Sequence, residues 1–235
     1  MNISLPQLLT RRTAVVMFLS VALAQGVAAA LPADPLLQEI IAGARAVPPA
    51  SIRFERTTKA GGRDQSGPAE SEVRVDRWDG RQLTRISING RPATAEEVDK
   101  VRKAATTVPG YHRVADYLAG GARRTSEGTG QVGYHLDRLP KGIVNMGGDR
   151  SDKIAGDVTI DTAGPQPFVS RVHFYTTKGF SIMLVARVDR FDQVLEYRLG
   201  SDGRPMLVRS IQALAGSQFG KTGETRTEST YVALR

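Results

Sequence analysis

Cysteine is absent from the 235 residues, histidine occurs three times and tryptophan once. No disulfide can staple this fold, and no lipobox cysteine is present to carry a lipid anchor. The histidines His112, His135 and His173 never stand four residues apart, so no helix presents the paired ligands of a zinc site. After residue 30 no apolar run approaches the roughly 20 residues that a membrane-spanning helix needs. Aromatics make up 6% of the chain and no arginine-rich block interleaves with them; the 32 basic residues are dispersed among 24 acidic ones. The net charge of +8 therefore favours solubility and anionic partners such as lipid head groups, and excludes a nucleic-acid signature.

What is present begins at the N-terminus. Arg11 and Arg12 precede an apolar run from Thr13 to Val27, and Ala28-Ala29-Ala30 supplies the small residues of a signal-peptidase exit. Residues 1–30 are expected to be a cleaved export signal, leaving 31–235 as one domain in the periplasm or secreted. An uncleaved anchor is the alternative, but Ser20 and Gln25 interrupt a run that is already short. The arginine pair alone does not separate the twin-arginine route from the general one.

Local signals then predict three helices. Asp34 is an N-cap with Pro35 at the first helical position, and Leu36, Leu37, Ile40, Ile41 and Ala44 form one stripe. Thr94-x-x-Glu97 is a capping box opening 95–106. Tyr111, Val114, Ala115 and Leu118 make a second stripe that ends at Gly120-Gly121. The remainder alternates with period two and predicts about eleven antiparallel strands. Asp79-Gly80 and Asp202-Gly203 mark hairpins. A two-residue turn at Asp79-Gly80 sets Val75 opposite Thr84 and Val73 opposite Ile86. That pairing buries the valines and leaves Glu72, Arg74, Asp76, Trp78, Arg81 and Arg85 on a solvated face, with a Trp78–Arg81 cation–π pair as an option. At Asp202-Gly203 the pairs are Glu196–Arg209, Val194–Ile211, Tyr197–Val208 and Leu199–Met206. Ile182–Ala186, apolar on both faces, reads as a central strand, and 221–233, rich in charge, as a protected edge. Residues 139–155 form a long irregular loop.

No constellation names a reaction. Gly128-Thr129-Gly130-Gln131-Val132-Gly133 matches a dinucleotide fingerprint in letters, but polar residues precede it and strand-like alternation follows, so a bulged hairpin is expected. Ser217 lacks a nucleophile-elbow frame, and the carboxylate pairs Asp149/Asp152, Asp157/Asp161 and Asp189/Asp192 lack calcium-loop spacing. His173 reads as a hydrogen-bonded strand histidine. The expectation is no catalytic residue, no metal ligand and no cofactor. An exported hydrolase without a readable motif remains an alternative.

The order of elements, with Ser51-Ile52-Arg53-Phe54 after the first helix, Val75-Asp76-Arg77-Trp78-Asp79-Gly80, and the Val194–Leu199 strand before its Asp-Gly turn, resembles the periplasmic lipoprotein-carrier (LolA/LolB-like) superfamily. The Asn89-Gly90-Arg91-Pro92 segment and the helix after it depart from the simple carrier pattern. The resemblance implies a mainly β fold with a few short helices: one curved antiparallel sheet, an unclosed half-barrel, with helices covering its concave face. It implies a soluble, chaperone-like carrier or sensor of a lipid, a lipidated protein's acyl chain or another hydrophobic ligand. An envelope interaction module of the same fold, binding a membrane-protein partner, is the second alternative. Alternation then predicts a cavity lined by Ile52, Phe54, Val73, Val75, Ile86, Phe174, Ile182 and Leu184. The lid would be formed by Leu37, Ile40, Ile41, Tyr111, Val114 and Leu118.

Overall fold

The computed structural model describes residues 34–48, 52–104, 110–182 and 186–234. The expected export signal and Leu184 lie outside them. Asp34 starts the first helix as its sequence predicts: its carboxylate accepts the N–H of Leu36 at 3.0 Å and of Leu37 at 3.3 Å, and Pro35 follows it. Helix α1 (Pro35–Ala46) buries Leu37, Ile40, Ile41 and Ala44. Helix α2 (Ala95–Ala104) has its capping box made in both directions: the Glu97 N–H donates to Thr94 Oγ1 at 3.3 Å and the Thr94 N–H to Glu97 Oε2 at 2.8 Å. Helix α3 (Arg113–Leu118) is short and buries Val114, Ala115 and Leu118.

Glu97 also takes a bidentate Arg91 guanidinium, and these hydrogen bonds hold its carboxyl at about 2, against an ordinary 4.5. A depressed folded-state value means that this contribution is complete above about 4.5 and lost as pH falls toward 2. NMR titration of the Glu97 carboxyl is expected to give a midpoint near 2 in the native protein. In Arg91→Gln the midpoint should return toward 4.5, and an unchanged midpoint would remove the guanidinium as its cause.

The strands are β1 (Phe54–Asp64), β2 (Gly67–Trp78), β3 (Leu83–Ile88), β4 (Arg91–Pro92), β5 (Arg123–Gly128) and β6 (Gln131–Leu136). After them come β7 (Ile154–Asp161), β8 (Phe168–Thr176), β9 (Phe180–Ile182), β10 (Ala186–Leu199), β11 (Pro205–Gln218) and β12 (Lys221–Ala233). They form one antiparallel, unclosed sheet in the order β4-β3-β2-β1-β12-β11-β10-β8-β7-β6-β5, with β9 pairing β10. The antiparallel strands are those expected from the alternation, and the unclosed sheet is consistent with the curved half-barrel that the resemblance implies. Helices α1 and α3 pack on the inner face of β6–β8 and β10 in the main core, which includes Tyr134, Val158, Val172 and Phe174. Phe54, Trp78 and Leu83 form a second, smaller core, onto which Val101 of α2 packs.

Four features differ from the sequence expectations. The Asp79-Gly80 hairpin has a four-residue loop, because Asp79 Oδ1 accepts the N–H groups of both Arg81 and Gln82 at 2.8 Å. Trp78 therefore pairs with Leu83 and Asp76 with Arg85, and a bulge leaves Ile86 between the Arg85 and Ser87 pairings. The faces are exchanged as a result. Trp78 and Asp76 point inward, while Val73 and Ile86 lie 36% and 39% exposed on the outer face. Burying one indole outweighs leaving two small aliphatics half in water. The third difference is at Ile182–Ala186, expected as part of one central strand: β9 ends at Ile182 and lies off the main strand order, pairing with the start of the long β10 at Ala186. Last, β12 is no edge. It runs between β1 and β11, and among the described strands it alone joins β1–β4 to the rest of the sheet.

Other expectations are met. The glycine-rich Gly128–Gly133 segment is the turn of the bulged β5–β6 hairpin, with Gly130 at φ 78. The Glu196–Arg209 and Val194–Ile211 pairs form as read, after which a bulge shifts Tyr197 onto Leu207. The 139–153 loop is ordered around Asp149, whose carboxylate accepts the N–H groups of Gly142 and Ser151, each at 3.0 Å. At the tip of the β11–β12 hairpin Phe219 is 72% exposed and sits at φ 50, a left-handed conformation that phenylalanine adopts at a cost.

Candidate functional site

The two cores do not merge. Between them, on the inner face of the sheet and beneath α3, lies a cavity of about 340 Å³. Its floor comes from β8, β10 and β11 through Phe174, Gln193, Leu195, Leu207 and Ser210, and β1 and β12 add Arg56 and Tyr231. Its roof is Arg113 and Tyr117 of α3, with Gly110 before that helix and Ile143 from the ordered loop. Tyr197 completes the wall. Helix α3 is placed there by its buried stripe, so Tyr117, one turn on from Val114, is aimed at the sheet. Its ring meets Phe174 edge-on at 5.0 Å, and the Arg113 guanidinium stands 5.9 Å above the other side of the same ring.

Arg56 belongs to an inward-facing polar group. Its Nη2 donates to Asp76 Oδ2 at 2.7 Å, and Arg85 Nε donates to Asp76 Oδ1 at 2.7 Å, with Asp76 only 1% exposed. One carboxylate thus serves two guanidinium groups, and one positive charge is left over. The Nε of Arg56 is buried and donates to nothing. Beside this group the Thr58 and Ser229 hydroxyls bond each other at 2.9 Å. Arg113 is ion-paired at 2.8 Å, to Asp116 on the solvent side of α3.

Burial raises the pKa of the hydroxyls of Tyr117 and Tyr231 and pushes that of Tyr197 far above the ordinary tyrosine value. At Tyr231 the nearby Arg56 guanidinium works in the opposite direction without reversing the shift. All three hydroxyls are therefore protonated at neutral pH. Among the described residues the lining offers two guanidinium groups, tyrosine hydroxyls, Gln193 and Ser210, and no carboxylate, imidazole or thiol. It is rich in donors on one side and aliphatic or aromatic on the other. Such a site can bind and orient a ligand.

Among the described residues that alternation assigns to a cavity, the structure brings only Phe174 to this one. Phe54 is buried in the smaller core, Ile52 and Val75 are half-buried, and Ile182 packs against the main core. Val73 and Ile86 face outward. The six lid residues Leu37, Ile40, Ile41, Tyr111, Val114 and Leu118 are all buried in the main core, and the Tyr111 hydroxyl accepts the Val169 N–H at 2.9 Å. They are packed elements of the fold and not a loose cover. The residues missed were Arg56, Arg113, Tyr117, Tyr197 and Tyr231. A trace of them was readable: Arg56 alternates with Phe54 and Thr58, and Asp76 with Arg74 and Trp78, so a charge pair shares the period of buried residues.

His135 and His173 lie on the opposite face of the sheet, bonded to Asp157 at 2.7 Å and Asp192 at 3.0 Å. Among the described residues no group of three or more histidine, cysteine or acidic side chains is arranged to hold a metal ion. No helix among them is long and apolar enough to cross a membrane. Comparison with protein-family models and with curated proteins finds no match to this chain.

Proposed function

We propose that this chain is a non-enzymatic binding protein, working in the periplasm or secreted, that takes a lipid or other ligand bearing an apolar chain into the cavity beneath α3. One observation carries the reading: a space of about 340 Å³ between a curved sheet and a helix, where Phe174, Leu195 and Leu207 stand beside a mainly polar lining of arginine, tyrosine, glutamine and serine. That volume falls in the lower part of the roughly 300–1,000 Å³ typical of small-molecule sites. The half-barrel with helices on its concave face supports the same reading, since the soluble carriers that the sequence resembles are built this way.

The experiment is a fluorescence titration with NBD-labelled dodecanoic acid and its methyl ester. Saturable binding of at least one probe at one site per chain is expected. Ser210→Phe, which fills the floor of the cavity with a ring, should abolish it while leaving the melting temperature near that of the parent. Absence of saturable binding by both probes would remove the carrier reading.

A further inference from the structure

We propose that the cavity selects an anionic amphiphile, seating a carboxylate or phosphate head group between Arg56 and Arg113 and its chain against Phe174, Leu195 and Leu207. This rests on the binding reading above and narrows it to a ligand class. The first support is the charge census. Two lining residues are cationic and none is acidic, although the whole chain carries 24 acidic residues. The two carboxylates that pair with these arginines stand outside the lining: Asp76 behind Arg56, and Asp116 on the exposed side of α3.

The second support is that the positive charge is not neutralised where it stands. Asp76 is shared between Arg56 and Arg85, so the pair of guanidiniums keeps one net charge in a largely buried setting. A cation in a poorly solvated seam is costly unless an anion meets it. The buried Nε of Arg56 has no acceptor. An oxyanion in the cavity would bring an opposite charge to the Arg56 guanidinium, and charge-assisted hydrogen bonds of this kind are the strong ones.

The third support is the set of neutral donors. Tyr117 and Tyr231 stand beside the two arginines in the same lining, and burial keeps their hydroxyls protonated and so able to donate. Gln193 and Ser210 add donors from the floor. Tyr117 lies against Arg113, and Tyr231 against Arg56, so one head group can meet guanidinium and hydroxyl donors together. An oxyanion uses them.

Binding of the acid and ester probes is compared at low salt, in the full protein and in Arg113→Gln and Arg56→Gln. The acid is expected to bind the parent at least tenfold more tightly than the ester. Each substitution should weaken the acid about tenfold and bring the acid-to-ester ratio close to one, with Arg113→Lys retaining part of the preference. Arg113 lies on the surface helix, so its variant remains informative even if Arg56→Gln lowers stability. Unlabelled laurate and dodecyl phosphate compete in separate arms, and stronger displacement by one of them identifies the carboxylate or the phosphate as the natural head group. Equal binding of acid and ester would overturn the selectivity while leaving the carrier reading intact. Displacement by inorganic phosphate as effective as by dodecyl phosphate would also overturn it, because the chain would then contribute nothing. Failure of both probes to bind would remove both readings.

Discussion

Asp76→Ala is expected to destabilise the protein by about 3–5 kcal/mol, because removing one member of a buried ion group leaves the others charged and uncompensated. Asp76 is 1% exposed and holds Arg56 and Arg85, each at 2.7 Å. The two guanidiniums keep some contact with water, their side chains being 22% and 12% exposed, which places the effect toward the lower end of that range. Urea denaturation at neutral pH measures it. Replacing Arg56 and Arg85 by leucine in the Asp76→Ala background is expected to recover much of the loss, since no unpaired charge then remains. A loss below about 1 kcal/mol for Asp76→Ala would mean that water solvates the group and that it behaves as a surface pair.

Phe174→Ala is the second large effect, at about 3–5 kcal/mol for a fully buried ring in a packed wall. Phe174 is 1% exposed, meets Tyr117 edge-on at 5.0 Å and covers Gly156, where an added Cβ would stand 3.0 Å from Phe174 Cδ1. The strand beneath has no side chain with which to fill the gap, so the cavity enlarges without collapsing. For a domain of this size each kcal/mol moves the melting temperature by roughly 2–4 °C, so a fall of roughly 6–20 °C is expected in a thermal melt. Phe174→Leu keeps most of the volume and should lose less than half as much. A melting temperature for Phe174→Ala within about 3 °C of the parent would show the wall able to close over the vacancy.

What was legible in the sequence was local. Asp34 with Pro35, and Thr94 with Glu97, mark helix starts through groups three residues apart or fewer, and both caps form. The stripes on α1 and α3 bury as read because helical spacing fixes one face. The N-terminal hairpin was misread for a specific reason: the Asp79 side chain supplies acceptors that lengthen the turn, and the longer turn changes every pairing beyond it. The charge of β12 suggested an edge, and its first six residues are indeed exposed, yet Ser229 and Tyr231 farther along are the ones that dock it at the centre. The site was hidden for a related reason. Arg56, Tyr117, Phe174 and Tyr231 meet only once the sheet is assembled, and alternation hints at the face Arg56 takes without showing what it meets there.

The place of β12 also sets a schedule. The strand that follows all the others in sequence stands between β1 and β11, pairing Phe54 with Ala233. During synthesis at roughly 5–20 residues per second, the first hairpins would wait on the order of 10–40 s for their neighbour. Through that interval one edge of β1 is an unpaired row of N–H and C=O groups, open to mispairing. Contacts this distant in sequence also make for slow folding after release. Until β12 is in place, pairing between the open β1 edges of two copies competes with closure of the native sheet.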